Sequence, residues 1–345
     1  MVFPYQLKEL TFFGPAVPPG ERVTCQIRST LLENLVMTSD IDILDQSGVL
    51  RMRLQAWDDK RFDIPRALYR FILNPDQNRL SEPWTAPFNG SQGSTRYRAR
   101  RISGYSRAFL QAHYRLWERV IANLALAPAE RTAWRAMTGA DQRRIDWLLG
   151  RVAAKEALAI LFLEMYDRPL KLADIEIKSD ERGQPYISRD LVAAADQPVV
   201  LSIAHTGEVA VAVAGPVSST SGLPGIGIDL ESVKRLESSF AGVAFSQNEQ
   251  SLLAQVEGDR PATWALRAWC AKEAVGKALG YGLAAGPHSV TVDRIDAGSG
   301  YVYLTLAGPL ADLFPNLTGE QVAAYTALEN GHVLASVLNS LQNAQ

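Results

Sequence analysis

Hydrophobic positions along the 345-residue chain change their period several times. In residues 1–75 they alternate: RVTCQIRS, VMTSDIDILD and VLRMRLQAWDD place apolar side chains at every second position, the period of a strand with one buried face. Asp45-Gln46-Ser47-Gly48 supplies turn residues for a hairpin between the last two. The next stretch, NPDQNRLSEPWTAPFNGSQGST, has no period and is rich in Pro, Gly, Ser and Asn, which predicts a linker. From Arg96 the spacing turns to three and four through RRISGYSRAFLQAHYRLWERVIANLAL and then GADQRRIDWLLGRVAAKEALAILFLEMY, predicting helices. Alternation returns in two hairpins: DIEIKSDERGQPYI turns at Arg182-Gly183, and PVVLSIAHTGEVAVAVAG turns at Thr206-Gly207.

After Pro224 the same order recurs. The strand GIGIDLE leads through FSQNEQSLLAQV to the helix ATWALRAWCAKEAVGKALG, closed by Gly280 as a C-cap. The hairpins SVTVDRIDAGSGYVYLTL and AAYTALENGHVLASVL follow, the latter turning at Asn330-Gly331. Ala-Lys-Glu-Ala stands in both long helices, at 154–157 and 271–274. Helix propensity alone brings such residues together. The hairpins after each helix repeat as well, so the pattern predicts a duplicated lobe with a ligand crevice between the copies. The expected fold is α+β: a mainly-β segment over 1–78, a linker over 79–95, and two pseudo-symmetric α+β lobes over 96–217 and 218–345.

Composition narrows the setting. With 35 Lys and Arg against 37 Asp and Glu, the formal charge of −2 draws neither nucleic acid nor an anionic membrane, and any basic recognition must be local. Two distant cysteines, Cys25 and Cys270, favour a reducing compartment over a disulfide or zinc scaffold. No charged leader followed by an apolar run opens the sequence, and no window approaches the roughly 18 apolar residues of a membrane helix. The cytoplasm is the expected location.

Several residues could carry chemistry. In GIGIDLE a strand period puts Gly227, Asp229 and Glu231 on one face, where two carboxylates suit Mg²⁺ or form a solvated strand end. Trp269, Glu273 and Lys277 share a helix stripe, with Val275 turned to the core beside Trp264 and Ala268. Glu273 and Lys277 alone would be an ordinary surface ion pair, but Glu273 follows Asp229 by 44 residues and adds a third carboxylate. Arg151 and Lys155, four apart, repel unless a phosphate lies between them or solvent screens both. His205 in SIAHTGEV sits at a tight turn, exposed or near an anion. His113, His288 and His332 show no metal spacing. The basic run RYRARR, with Arg96, Arg98, Arg100 and Arg101, is a solvated linker end or a docking surface for an acidic partner. There is no phosphate-binding Gly-x-x-x-x-Gly-Lys-Ser/Thr loop, no Gly-x-Ser-x-Gly elbow and no His-Glu-x-x-His.

GIGIDLE followed at this distance by WCAKEAVGKALG closely resembles the paired signature of the 4′-phosphopantetheinyl transferases, the two-lobed Sfp type in particular. LSIAHTG resembles their histidine turn and LLGRVAAKEAL the arginine-bearing helix of their first lobe; the similarity covers about Arg96 to Leu338. The resemblance implies that Asp229, Glu231 and Glu273 hold Mg²⁺ against the diphosphate of coenzyme A. Glu273, or a water it positions, would take the proton of a carrier-protein serine, with phosphopantetheine transferred and 3′,5′-ADP released. Lys277, with Lys272 close by, would stabilise the transferring phosphoryl group; Arg151, Lys155 and His205 would bind the nucleotide phosphates. Two departures bear on coenzyme A affinity: Gln184 stands where the family often writes lysine, and Ala204 where serine is common.

Residues 1–78 resemble, more loosely, the later part of a hotdog domain from a polyketide synthase dehydratase region, without the dehydratase motif His-x-x-x-Gly-x-x-x-x-Pro. This implies the C-terminal end of a megasynthase serving an acyl carrier protein or a carrier domain of its own assembly, in polyketide or fatty acid biosynthesis. Two other readings stand beside the transferase: a catalytically inactive docking module for carrier proteins, and a metal-dependent hydrolase of the coenzyme A diphosphate.

Overall fold

The computed structural model describes residues 2–88, 96–188, 197–217, 222–235, 240–256 and 261–338. The chain divides into two compact units, Met1–Leu73 and Asn74–Gln345. The first is an antiparallel sheet of β1 (Val2–Phe12), β2 (Thr24–Leu31), β3 (Val36–Leu44) and β4 (Leu50–Arg61), ordered β1-β4-β3-β2, followed by α1 (Arg66–Leu73). The Asp45 carboxylate accepts from Ser47 N, Val49 N and Arg51 Nε, which closes the β3–β4 turn as expected from its residues. The register of β1 with β4 shifts between Pro4 and Gln6.

The second unit opens with β5 (Glu82–Pro83) and β6 (Arg98–Ile102). Both correct the sequence expectation. Part of the predicted linker is packed structure: Leu80, Trp84 and Phe88 are buried, and Leu80 N and Ser81 N donate to the Glu156 carboxylate at 2.8 and 2.9 Å. Its residues 89–95 lie outside the described ones. The helix expected from Arg96 begins only at α2 (Arg107–Ala125), where the Ser106 hydroxyl caps Phe109 N. Helices α3 (Pro128–Ala136) and α4 (Asp141–Tyr166) follow, then β7 (Ile177–Ser179), β8 (Pro185–Ile187), β9 (Val199–Thr206) and β10 (Val209–Pro216). Next come β11 (Gly227–Ser232), α5 (Phe240–Ala244), α6 (Gln247–Ala254) and α7 (Pro261–Ala278). The chain ends with β12 (Val290–Asp296), β13 (Tyr301–Leu306), α8 (Gly308–Leu313), β14 (Val322–Glu329) and β15 (His332–Val337).

Two larger sheets result, ordered β5-β6-β10-β9 and β11-β15-β14-β13-β12. Helix α4 packs on the first and α7 on the second. Edge strands β9 and β11 meet along a seam, where Ile228 N donates to the Ser202 hydroxyl at 3.0 Å. Ile226, Ile228 and Leu230 turn into an apolar core with Trp84, Val211, Val213 and Leu334, so the face carrying Gly227, Asp229 and Glu231 is left to α7. A Cβ at Gly227 would fall 1.8 Å from the Ala274 carbonyl oxygen, and this close approach of strand to helix requires glycine.

The repeated Ala-Lys-Glu-Ala has a structural cause. Lys155 and Lys272 are both fully buried. Lys155 Nζ binds Glu130 and donates to Ala125 O and Leu172 O at 2.8 and 3.1 Å. Lys272 Nζ lies 2.7 Å from Glu249 and donates to Ala244 O and Pro287 O, each at 3.1 Å. Each glutamate caps its own helix, Glu130 accepting from Ala127 N and Glu249 from Ser246 N. Each also accepts from a strand amide, Ile177 N or Val292 N. Each lysine thus ties the long helix to a helix start and a strand, within the part of the unit that contains it. Among the described residues no helix is long and apolar enough to cross a membrane.

Candidate active site

The seam between β9 and β11 opens into a cavity of about 320 Å³. Asp146, Trp147, Gly150 and Arg151 of α4 line one wall, the β7–β8 hairpin with Ser179 and Arg182–Pro185 a second, and Glu273 and Lys277 of α7 a third, with His205 at the rim. Gly150 lets α4 approach β9, since a Cβ there would meet the Ile203 side chain at 2.9 Å.

Lys277 anchors the floor. Its ammonium donates to Asp229 Oδ1 at 2.8 Å and to the carbonyls of Ile228 and Ile203 at 3.0 and 3.5 Å, joining both sheets. Asp229 Oδ2 is buried without a hydrogen-bond partner among the described residues. Glu231 accepts from the Thr206 hydroxyl at 3.3 Å across the seam. Burial, followed by the negative charges of Asp229 and Glu231, pushes the Glu273 carboxyl above its ordinary range, with Lys277 opposing. Burial and the Asp229 charge push the Cys270 thiol up as well. Among the described residues the floor groups these carboxylates around the Lys277 ammonium.

The opposite wall is short of negative charge. Arg151 is only 7% exposed, stacks on the Trp147 ring at 4.6 Å, and donates to the Ser179 hydroxyl at 3.1 Å. Its nearest carboxylate, Glu130, lies 3.8 Å away and is already engaged by Lys155. Burial pulls the Arg151 guanidinium below its ordinary range. His205 is half-exposed with Nδ1 3.7 Å from Asp146 Oδ2, and Gln142 donates to the other Asp146 oxygen at 2.6 Å. Burial lowers the imidazole's pKa, and Asp146 opposes that shift.

Of the residues singled out in the sequence, Arg151, His205, Glu273 and Lys277 meet at this cavity, with Asp229 and Glu231 grouped beside Glu273 and Lys277. Lys155 and Lys272 do not join them. The spacing of Arg151 and Lys155 left room for a phosphate, and the family resemblance set Lys272 beside Lys277, but both ammonium groups are engaged by a carboxylate and two carbonyls inside the protein, so the structure corrects their expected role as coenzyme A ligands. The basic run is likewise absorbed: Arg98 pairs with Glu164, Arg101 with Glu329, and buried Arg100 binds Ser81. Among the described residues no three His, Cys, Asp or Glu side chains are arranged as a ready metal cage. The donors nevertheless fit Mg²⁺, which usually takes one or two protein carboxylates and completes its shell with water and substrate phosphate. They are hard oxygens, and Asp229 Oδ2 accepts no geometrically good hydrogen bond among the described residues.

Asp146, Ser179 and the stacking of Arg182 on Tyr281 at 3.9 Å carry no local sequence signal, because each depends on elements far apart in the chain. Gln184 and Ala204 both lie at the seam: Gln184 lines the cavity against Gly280, and Ala204 is buried in the core.

Hairpins β9–β10 and β14–β15 both turn on two residues, so counting from the turn sets Ala212 level with Ala335. Arg100 pairs with the first and Asp229 with the second. Asp229 pairs with Lys277 and faces Glu273 across like charges, whereas Arg100 is itself a cation lying near Glu156.

Residues 225–329 match the family model described as the 4′-phosphopantetheinyl transferase superfamily. The holo-[acyl-carrier-protein] synthase of Bacillus pumilus is 42% identical over 72 residues, 21% of this chain and 58% of that protein; the Bacillus subtilis protein of the same name gives the same figures. The Lactococcus lactis subsp. cremoris enzyme is 40% identical over 70 residues, 20% of this chain and 56% of that protein. The chain thus spans less than two thirds of the length of these relatives. A crystal structure of the Bacillus anthracis holo-(acyl-carrier-protein) synthase, in complex with CoA (3′,5′-ADP), is similar at 25% identity, covering 36% of this chain and 96% of that one, with a TM-score of 0.27.

Proposed function

We propose that the chain is a 4′-phosphopantetheinyl transferase that moves the phosphopantetheine arm of coenzyme A onto a serine hydroxyl of an acyl carrier protein. One observation carries the reading: a single cavity is lined on one side by Glu273 and Lys277 of α7, with Asp229 and Glu231 of β11 grouped beside them, and on another by Arg151 of α4 and His205 of β9. A diphosphate bound to a divalent cation satisfies both. Arg151 and His205 bind nucleotide phosphates at the rim, and the Trp147 face and Ser179 hydroxyl hold the guanidinium in place. Lys277 is held 3.0 Å from the Ile228 carbonyl, where its charge can follow negative charge developing on the transferred phosphoryl group. Glu273, raised above its ordinary range, is suited to accept the serine proton directly or through a water. The serine oxygen then bonds to the β-phosphorus, the bond to 3′,5′-ADP breaks, and the nucleotide leaves. Mg²⁺ bound through Asp229, Glu231 and Glu273 would neutralise the diphosphate; positioning and electrostatics do most of the work in such transfers.

The repeated Lys–Glu ties support two pseudo-symmetric lobes derived from one ancestral unit, with the active site kept only where Asp229 replaces an arginine. The antiparallel sheet of residues 2–61 is the basis for reading the N-terminal unit as a partial hotdog domain of a megasynthase, whose own carrier domain would be the substrate. Free Cys25 and Cys270 agree with a reducing cytoplasm. A pure docking module has no use for carboxylates grouped closely enough to raise Glu273, which favours catalysis. Incubation with coenzyme A, Mg²⁺ and an unmodified carrier protein should yield a phosphopantetheine adduct by mass spectrometry, abolished by Asp229→Ala. Carrier binding without an adduct would establish the docking module, and release of phosphopantetheine with no carrier present would establish the hydrolase.

A further inference from the structure

We propose that the helical layer of the second unit carries a separate binding pocket for a small phosphate-type anion, independent of the cavity described above. Helices α2, α3 and α4 surround a second cavity of about 320 Å³, lined by Arg115, Arg119, Asn123, Trp134, Arg135 and Arg144. Four guanidinium groups at one concavity are answered by two carboxylates. Asp141 pairs with Arg115 and lies 4.0 Å from Arg144, and Glu118, fully buried, accepts from Arg144 Nε at 2.8 Å. Among the described residues Arg119 and Arg135 meet no carboxylate, and Arg135 reaches only the Asn123 side-chain oxygen at 3.4 Å. Among the described residues guanidinium groups therefore outnumber carboxylates at this concavity, which suits an anion.

The wall adds a second observation. Trp134 is only 5% exposed, and its indole N–H is buried with no acceptor among the described residues. The Trp134 ring lines the cavity, so its indole signal reports on what enters it. Arg144 stacks over the same ring at 5.3 Å, which sets its guanidinium in place. Arg115 is delivered by an interruption of α2, where His113, Tyr114 and Arg115 all take positive φ, a costly arrangement for three residues bearing Cβ atoms. The concavity favours a compact anion over the broad face of an acidic protein, because converging guanidinium forks match a phosphate's oxygens at short range.

The full-length chain labelled with ¹⁵N tests this. The indole N–H signal of Trp134, identified by its loss in Trp134→Phe, is followed during titration with inorganic phosphate and, at equal ionic strength, with chloride. A saturable shift with phosphate alone is expected. Arg119→Gln with Arg135→Gln, both at exposed positions that leave folding intact, should weaken it by about tenfold or more, the scale of losing charge-assisted hydrogen bonds. Arg151→Gln in the other cavity should leave it unchanged, which separates the two sites and keeps the result independent of the transferase reading. Equal shifts with chloride, no saturation, or insensitivity to the double variant would overturn the proposal. So would a response to a polyglutamate peptide in the absence of any response to phosphate, which would assign the surface to an acidic protein.

Discussion

Replacing Lys155 by alanine distinguishes a structural tie from a phosphate ligand. The lysine is fully buried, and its ammonium serves Glu130 and the carbonyls of Ala125 and Leu172. Without it Glu130, itself 4% exposed, keeps two amide donors but loses its contact cation, leaving Arg151 at 3.8 Å as the nearest charge. Breaking one side of a buried ion pair costs about 3–5 kcal/mol. For a unit of this size that lowers Tm by roughly 6–15 °C. Burial pushes the lysine down to about 8, so between there and its ordinary value near 10.5 the unfolded chain binds more protons than the native one. The cost of burying its charge is complete below pH 8 and fades as pH rises to 10.5, so wild type should gain stability over Lys155→Met across that window. Thermal unfolding by circular dichroism reads both effects, and calorimetry below the transition should find coenzyme A binding unchanged. A Tm within about 2 °C of wild type together with tenfold weaker coenzyme A binding would return Lys155 to the ligand set.

Glu273→Gln keeps shape but removes the proton acceptor, and carrier loading should fall more than about a hundredfold, measured as initial rate of adduct formation; a near-normal rate would remove Glu273 from the chemistry. The raised Glu273 carboxyl contributes stability that is present below its unfolded pKa and lost as pH rises through the folded one, because its ionised form meets Asp229 and Glu231. Millimolar Mg²⁺ should therefore raise Tm more at pH 8 than at pH 5, with the difference absent in Asp229→Ala. Gly227→Ala drives a Cβ to 1.8 Å from the Ala274 carbonyl and 2.8 Å from Ala278 N, both backbone atoms of α7 that cannot yield. A loss of at least about 3 kcal/mol is expected, seen in urea unfolding, and a loss under about 1 kcal/mol would show that strand and helix separate easily.

Much of this protein was legible in one dimension. The period of two in β9 to β15 and the period near 3.6 in α4 and α7 are local signals, and turns such as Asn330-Gly331 mark where they reverse. The placement of Asp229 and Glu231 on one strand face, and of Glu273 and Lys277 on one helix stripe, follows from backbone geometry alone, while the packing of α7 on β11 brings the two pairs together. The pattern could not show which of several chemically equivalent groups would be used up inside the fold. Lys155 and Lys277 are both lysines on long helices, yet one ends among buried carbonyls and the other at the cavity floor. Arg100 and Arg151 differ in the same way, one absorbed by Ser81 and the other left facing the opening. Asp146 and Ser179 matter only because distant elements converge on one wall. A side chain's charge and helix position are written in the sequence. Whether a partner from a remote segment neutralises that charge is decided by long-range packing, which brings Glu130 to Lys155 and leaves Asp229 Oδ2 with none among the described residues.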